Sequence, residues 1–249
     1  RLNLTPINGE FFLHNKHEEI LSFSRKVGFK KVRTFTNAVN FSKLNLNNIF
    51  HPEHGLTSLS ISTGGFEQKT YEECFGIKKY KEFLDGLISV LDYFEKNKPN
   101  IRLSIELRSN MKLSENLVTD DFKKYIKKYY DKKIFELSQI NNFDDWAGQV
   151  QQKDLPNGMK IGPTPLIQAR PCHRLYTLGI LYDGVVRLCN CRYQGGDISK
   201  DGLYLGNLNE INLEEVLINN QIRELRNNFR KNKPEVCKKC KFYIPTVLV

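Results

Sequence analysis

Five of the six cysteines lie in the last third of the chain, a clustering that indicates metal ligation in a reducing compartment rather than disulfides. Cys237 and Cys240 form a CxxC pair, in which a tight turn can direct both thiols at one metal or cluster. Cys172 and Cys189 lie 17 residues apart, before and at the end of a predicted hairpin that can bring them together. Cys191 follows two residues after Cys189 and faces the same side of a strand, so it is the alternative ligand. Four thiolates suit structural Zn²⁺ or a [4Fe–4S] cluster, and the thiols alone slightly favour zinc.

The elements that must position these thiols form a small β-hairpin and helix unit. Asp183-Gly184 is a strong hairpin signal between strands predicted at 178–182 and 185–191. Asn212 is the predicted N-cap of a helix that ends before Pro234. The predicted apolar face of that helix consists of Leu217, Ile218, Ile222, Leu225 and Phe229.

The first 140 residues alternate between predicted strands and helices. The strands are expected at 1–6, 31–37, 56–63, 101–108 and 133–139, and the helices at 17–27, 77–96 and 120–130. Strands separated by helices predict a parallel sheet with right-handed crossovers. Five strands do not close an eight-stranded barrel. We therefore predict an α/β fold with a partial (β/α) barrel, and we expect a further strand before Arg1.

Three ranges follow from these patterns: residues 1–140 as the partial barrel, 141–171 as a connector and 172–249 as the cysteine-rich unit. The connector contains several prolines and glycines, together with Asp145 and the only tryptophan, Trp146. A packed loop anchor is the favoured interpretation of these residues, and a lid over an active-site mouth is the alternative.

The composition is that of a soluble globular protein, with 40% apolar and 27% charged residues. Because no run of about 18 apolar residues is present, we predict no membrane span and a cytoplasmic location. The formal net charge of +10 is attributed to a lysine-rich solvated surface. Attraction to an anionic partner such as RNA is the alternative, although no nucleic-acid motif supports it.

The cysteine-rich unit resembles the SPASM/Twitch auxiliary-cluster region of radical S-adenosylmethionine (SAM) enzymes. The hallmarks of that region are a cysteine, a DGxVxxC hairpin, a GN segment, a helix with an LR pair and a closing CxxC. They occur here in order as RPCHRLYTLGILYDGVVRLCNCR (170–192), YLGNL (204–208), Leu225-Arg226 and CKKC (237–240). One set of four cysteines suits the shorter Twitch form. The resemblance implies an auxiliary [4Fe–4S] cluster on Cys172, Cys189, Cys237 and Cys240, with Cys191 as the alternative to Cys189.

The first 140 residues are similar to the radical SAM barrel from its second strand onward. Asn8-Gly9-Glu10-Phe11 corresponds to the strand-end loop usually written GGEP, with the first glycine and the proline replaced. TFTN (34–37), LSIST (59–63) and IELR (105–108) correspond to the ends of later strands. The SAM-binding residues that the resemblance implies are Gly9, Glu10, Thr36, Asn37, Ser60, Ser62 and Arg108.

These positions imply roles for the two charged groups of the SAM methionine end. Gly9 and Glu10 would hold its ammonium, and Ser62 and Arg108 its carboxylate. Two alternatives stay open: the hydroxyl residues are ordinary strand residues, or Arg108 pairs with a helix carboxylate.

The resemblance implies a radical SAM enzyme that modifies a peptide or small-molecule substrate through a deoxyadenosyl radical. Its auxiliary [4Fe–4S] cluster would transfer electrons or order the substrate. The other expected cofactors are SAM and a second [4Fe–4S] cluster. The expected partner is an electron donor such as a flavodoxin or ferredoxin, and we expect neither nucleic acid nor a membrane as a partner. The family's CxxxCxxC loop is missing from the 249 residues, so we expect a C-terminal fragment that is inactive alone. The alternatives are a structural zinc-binding protein and a basic RNA-binding module, both without redox chemistry.

Overall fold

A computed structural model describes residues 1–7, 9–166, 168–190 and 201–246 of the chain. Asn8 and Cys191 lie outside these residues. Contacts divide the chain into two compact units. The first comprises Arg1–Asn141 and Pro156–Met159, and the second comprises Asn142–Leu155 and Lys160–Val249.

The first unit contains a parallel sheet whose five strands lie side by side in chain order. They are β1 Leu2–Asn3, β2 Val32–Thr36, β3 Leu56–Thr63, β4 Arg102–Leu107 and β5 Glu136–Gln139. Each neighbouring pair is parallel, which confirms the predicted parallel α/β arrangement. Closure of this sheet into a partial barrel stays a prediction.

The helices of the first unit lie between consecutive strands. They are α1 His17–Lys26, α2 Leu46–Ile49, α3 Gln68–Phe75, α4 Tyr80–Asn97, α5 Leu113–Asn116 and α6 Lys127–Asp131. A π-helical turn at Phe122–Ile126 leads into α6, where the sequence predicted one uniform helix. Helix α3 was not predicted from the sequence, although it buries Thr70 and Tyr71.

The two faces of the sheet differ in polarity because side chains alternate along each strand. In β4, Leu103, Ile105 and Leu107 are buried on one face and belong to the main core. Ser104 and Glu106 are half-buried on the opposite face. The clean alternation of IRLSIELR therefore produces a core-facing side and a polar side.

The second unit is built around a three-stranded antiparallel sheet in the order β10-β9-β8. Its strands are β8 Leu178–Ile180, β9 Val185–Leu188 and β10 Tyr204–Asn207. A separate sheet consists of two parallel strands, β6 Asn142–Phe143 and β7 Lys160–Ile161. The hairpin between β8 and β9 turns at Asp183-Gly184, as predicted, and Gly184 has a φ of +83°.

The prediction of a single helix from Asn212 onward is wrong, because the structure has two helices there. They are α7 Leu213–Ile218 and α8 Asn220–Asn227, and α9 Glu235–Lys238 follows. The Asn219 side chain accepts from the Gln221 backbone N–H at 2.8 Å and so caps a new helix. Leu217 and Ile218, predicted on the apolar face, are consequently 55% and 79% exposed.

Among the described residues, no helix combines the length and the apolar character needed to cross a membrane.

Candidate metal centre

Four cysteines of the second unit line one cavity. They are Cys172, Cys189, Cys237 and Cys240, each between 6% and 9% exposed. These are the four that the sequence analysis selected. Cys191, the alternative to Cys189, lies outside the described residues, so the choice within that pair stays a prediction.

Cys172 reaches the cavity because residues near the end of the chain pair with the segment around it. Cys172 forms an antiparallel bridge with Pro245. The His173 N–H donates to the Ile244 carbonyl at 2.9 Å, and the Ile244 N–H donates to Cys172 Sγ at 3.5 Å. An N–H directed at the sulfur partly compensates a thiolate that is buried away from water.

The CxxC pair is positioned by the short helix α9. Pro234 precedes this helix, and its carbonyl accepts from the Cys237 N–H at 2.9 Å. One turn later the Cys240 N–H donates to the Cys237 carbonyl at 3.3 Å. This tight turn brings both thiols to the same cavity.

Burial raises the pKa of the Cys237 thiol to about 12, and the nearby thiols of Cys189, Cys240 and Cys172 add to this shift. The other three sulfurs are thus close enough to Cys237 to oppose its ionisation. A positively charged metal centre removes that conflict, because a coordinated thiol is deprotonated.

The remaining lining of the cavity is mostly apolar. Leu175, Leu203 and Val236 contribute aliphatic side chains, and Arg174 and Tyr243 complete the lining. Four soft sulfur donors in an apolar shell fit an iron–sulfur cluster or a Cys₄ zinc site. Within the part of the chain that the structure describes, no three Cys, His, Asp or Glu side chains form a closed site for a single ion.

Tyr243 belongs to the same core as the four cysteines. Its ring stacks on Phe229 with centroids 6.3 Å apart, and its hydroxyl donates to the Arg170 carbonyl. Burial raises the pKa of Tyr243, and the nearby thiols of Cys172 and Cys237 add to this shift. The phenol therefore stays neutral beside the thiols.

The segment 142–155 packs within the second unit through a buried ion pair. Lys241, directly after the CxxC pair, lies with its Nζ 3.6 Å from Asp145 Oδ2 and donates to Thr164 Oγ1 at 2.6 Å. Asp145 is 8% exposed. These contacts hold Asp145 within the second unit.

In the first unit, the proposed SAM residues fall into two groups, and the first surrounds Glu10. Its Oε2 accepts from Thr36 Oγ1 and from the Asn37 N–H, each at 2.9 Å, at the carboxyl end of β2. Burial raises the pKa of Glu10, although the bonds from Asn37 and Thr36 oppose the shift. Gly9 adopts a φ of +102°, which favours glycine.

The second group lies on the polar face of the sheet. Ser60 Oγ is 2.8 Å from Ser104 Oγ on the next strand, and Ser62 is paired with Glu106 in the sheet register. Arg108 Nη2 contacts Glu106 Oε1 at 2.9 Å, so its partner is a strand carboxylate rather than a helix carboxylate.

Thr36 lies on the opposite face of the sheet from Ser60 and Ser62. It is paired in register with Ile61 and is 4% exposed, so it faces the core side of the sheet. Ser60 is paired in register with Phe35, on the half-buried polar side. These hydroxyl residues were predicted as one SAM-binding set, but the alternation of side chains along the strands places Thr36 and Ser60 on opposite faces of the sheet.

Two residues of the cysteine site were missed from the sequence. Arg187 is 1% exposed and donates from Nε to Asp201 Oδ2 at 2.7 Å. Arg187 lies in β9 between two apolar residues that face the core. A charged residue at such a position needs a partner close to it, and this could have been predicted from the sequence.

Residues 172–241 match the family model of SPASM, an iron–sulfur cluster-binding domain. All four cavity cysteines lie inside this match. A comparison with curated proteins finds no match. The sequence motifs, the convergence of the four thiols and the family match agree, and residues 172–241 are similar to the SPASM iron–sulfur cluster-binding domain.

Proposed function

We propose that the chain serves a radical SAM enzyme, in which the SPASM-type domain binds an auxiliary [4Fe–4S] cluster. The proposal depends above all on the convergence of four buried thiols on one cavity inside the matched residues. The proposed ligands are Cys172, Cys189, Cys237 and Cys240. Neither the zinc interpretation nor the RNA-binding interpretation is favoured, because the matched family binds iron–sulfur clusters.

The protein's part in this function is to hold the thiolates and to exclude water. Leu175, Leu203 and Val236 shield the cavity, and the Ile244 N–H is directed at Cys172 Sγ. When bound, the cluster supplies one-electron redox chemistry, whose potential depends on such hydrogen bonds and on burial. The domain is therefore suited to accept or pass an electron, or to order a substrate beside the cluster.

The strand ends of the first unit are the proposed SAM-binding region. The resemblance to the radical SAM barrel and the polar side chains near the carboxyl ends of β2 to β4 support this assignment. Glu10 offers a half-buried carboxylate for the SAM ammonium, and Arg108 offers a cation for its carboxylate. We propose a peptide or small molecule as the substrate and a flavodoxin or ferredoxin as the electron donor.

Iron binding by cysteine variants tests the ligand assignment. The chain is reconstituted anaerobically with Fe²⁺ and sulfide, and iron and sulfide are measured after desalting. Alanine variants of Cys172, Cys237 and Cys240 should each lose most of the iron, and Cys189→Ala should lose more than Cys191→Ala. Cys74→Ala is the matched control, because Cys74 lies in the first unit and should not affect iron uptake.

Two results would change this assignment differently. Equal iron contents in wild type, Cys189→Ala and Cys237→Ala would refute the four-cysteine site. A larger loss from Cys191→Ala than from Cys189→Ala would correct only the choice of the hairpin ligand.

A further inference from the structure

Arg187 places a guanidinium in the interior of the second unit, where 1% of its side chain is exposed. A buried charge needs a partner and further hydrogen bonds to be tolerated. Arg187 has both, and they lie on two different segments of the chain.

The first partner is Asp201, three residues before β10. Arg187 Nε donates to Asp201 Oδ2 at 2.7 Å, and the other carboxylate oxygen accepts from the Leu203 N–H at 3.0 Å. The Asp201 backbone carbonyl also accepts from the Tyr204 N–H at 2.9 Å. The carboxylate is therefore fixed to the start of β10, and Arg187 connects that point to the end of β9.

The second partner is the backbone of a proposed ligand. Arg187 Nη1 donates to the Cys189 carbonyl at 2.6 Å. Cys189 has a φ of +53°, a left-handed conformation that residues with a Cβ adopt at a cost in free energy. A charge-assisted hydrogen bond to this carbonyl stabilises the turn.

The turn changes the direction of the Cys189 side chain. In β9, Val186 and Leu188 belong to the core that contains the cysteines, and Arg187 faces the opposite side. Strict alternation would place Cys189 on the same side as Arg187. The left-handed turn instead allows Cys189 to join the cavity with the other three thiols.

We propose that the Arg187–Asp201 pair is a positioning device that holds Cys189 in its left-handed turn and presents its thiolate as the hairpin ligand. This inference rests on the proposed cluster-binding function. It gives a physical reason for the choice of Cys189 over Cys191, because Arg187 bonds to the backbone of Cys189 itself.

The test separates positioning from folding by removing one or both charges. Arg187→Met leaves the half-buried Asp201 carboxylate without this cation, so the variant should be destabilised. The double variant Arg187→Met/Asp201→Asn removes both charges and should recover stability, yet it still lacks the bond to the Cys189 carbonyl. Arg223→Met is the matched control, because Arg223 is exposed on α8 and donates to Asn220 Oδ1.

Each 249-residue variant is reconstituted anaerobically with Fe²⁺ and sulfide and then titrated with an iron chelator. We expect the chelator concentration that removes half of the iron to fall about 10- to 100-fold in the double variant, the range typical of residues that orient metal ligands. Arg223→Met should behave as wild type. Wild-type chelator resistance in a folded double variant would overturn the proposal.

Two further measurements apply if the double variant does not fold or the wild type takes up no iron. Arg187→Lys keeps the charge near Asp201 but lacks the planar fork that reaches two acceptors, so it should fold and still lose iron more easily. In the iron-free chain, alkylation of Cys189 should be faster in Arg187→Lys than in wild type, because a thiol that leaves its buried position becomes accessible to the reagent. An iron-free wild type would refute the proposed function, and unchanged Cys189 alkylation would refute the positioning role.

Discussion

Gly86 in α4 is the position where a single methyl group should disturb the loop that follows Thr36 and contains Asn37 and Ala38. A Cβ built on Gly86 would lie 2.0 Å from the Ala38 carbonyl oxygen. Carbon–oxygen contacts in proteins are about 3.3 Å or longer, so the loop and helix must separate by about 1.3 Å. The obstacle is a backbone atom, and it cannot be relieved by a change of rotamer.

The magnitude follows from two opposing effects. Overpacking of this kind costs about 3 kcal/mol at the upper end of its usual range. Alanine in a helix interior stabilises the folded state by about 1 kcal/mol relative to glycine. Gly86→Ala should therefore lose about 2 kcal/mol of unfolding free energy, a fall in Tm of roughly 4–8 °C for a chain of this size.

Thermal and urea unfolding, followed by far-UV circular dichroism, measure this loss. Lys81→Ala on the exposed side of the same helix is the control and should stay within about 0.5 kcal/mol of wild type. An unchanged or higher Tm for Gly86→Ala would show that helix propensity prevails. The reasoning that α4 supports the loop at Ala38 would then be refuted.

Three further perturbations address other parts of the chain. Glu10→Gln should become more stable relative to wild type as the pH rises from about 4 to 7, because burial raises the pKa of Glu10 and its ionised form disfavours the folded state. A difference in unfolding free energy between the two proteins that does not change with pH would contradict this. In a protein that combines this chain with the CxxxCxxC loop, Arg108→Ala should weaken SAM binding about 10- to 150-fold by calorimetry, from a lost interaction of about 1.5–3 kcal/mol. Arg102→Ala, at the opposite end of β4, should leave SAM affinity unchanged, and equal effects of the two would remove Arg108 from the site. Ile222→Ala should cost about 2–5 kcal/mol in urea unfolding and Ile218→Ala less than about 0.5, and the reverse order would restore the single-helix interpretation.

Local patterns predicted the strands of the first unit well. The alternation of apolar and polar residues in 101–108 predicted β4 and its two faces. The Asp183-Gly184 pair predicted the hairpin between β8 and β9. These features depend on neighbouring residues, which the sequence displays directly. The four cysteines could also be selected, because their spacing and order carry the resemblance to the SPASM/Twitch region.

Features that depend on distant partners could not be predicted in the same way. Helical spacing from Asn212 onward continues through Leu217 and Ile218, and only the cap formed by Asn219 interrupts it. The pairing of Arg187 with Asp201 spans 14 residues, and neither residue type specifies the other. Thr36 and Ser62 both lie near strand ends, but the register of β2 against β3 decides which face each occupies.

Iron and sulfide stoichiometry, with the visible spectrum, of the anaerobically reconstituted chain tests the central claim most directly. A [4Fe–4S] cluster on the SPASM-type domain predicts a brown protein that retains about four iron and four sulfide per chain after desalting. Substitution of Cys237 by alanine should abolish the colour while the first unit stays folded. A colourless wild-type chain that retains about one Zn²⁺ and no iron would contradict the cluster assignment and support a structural zinc site.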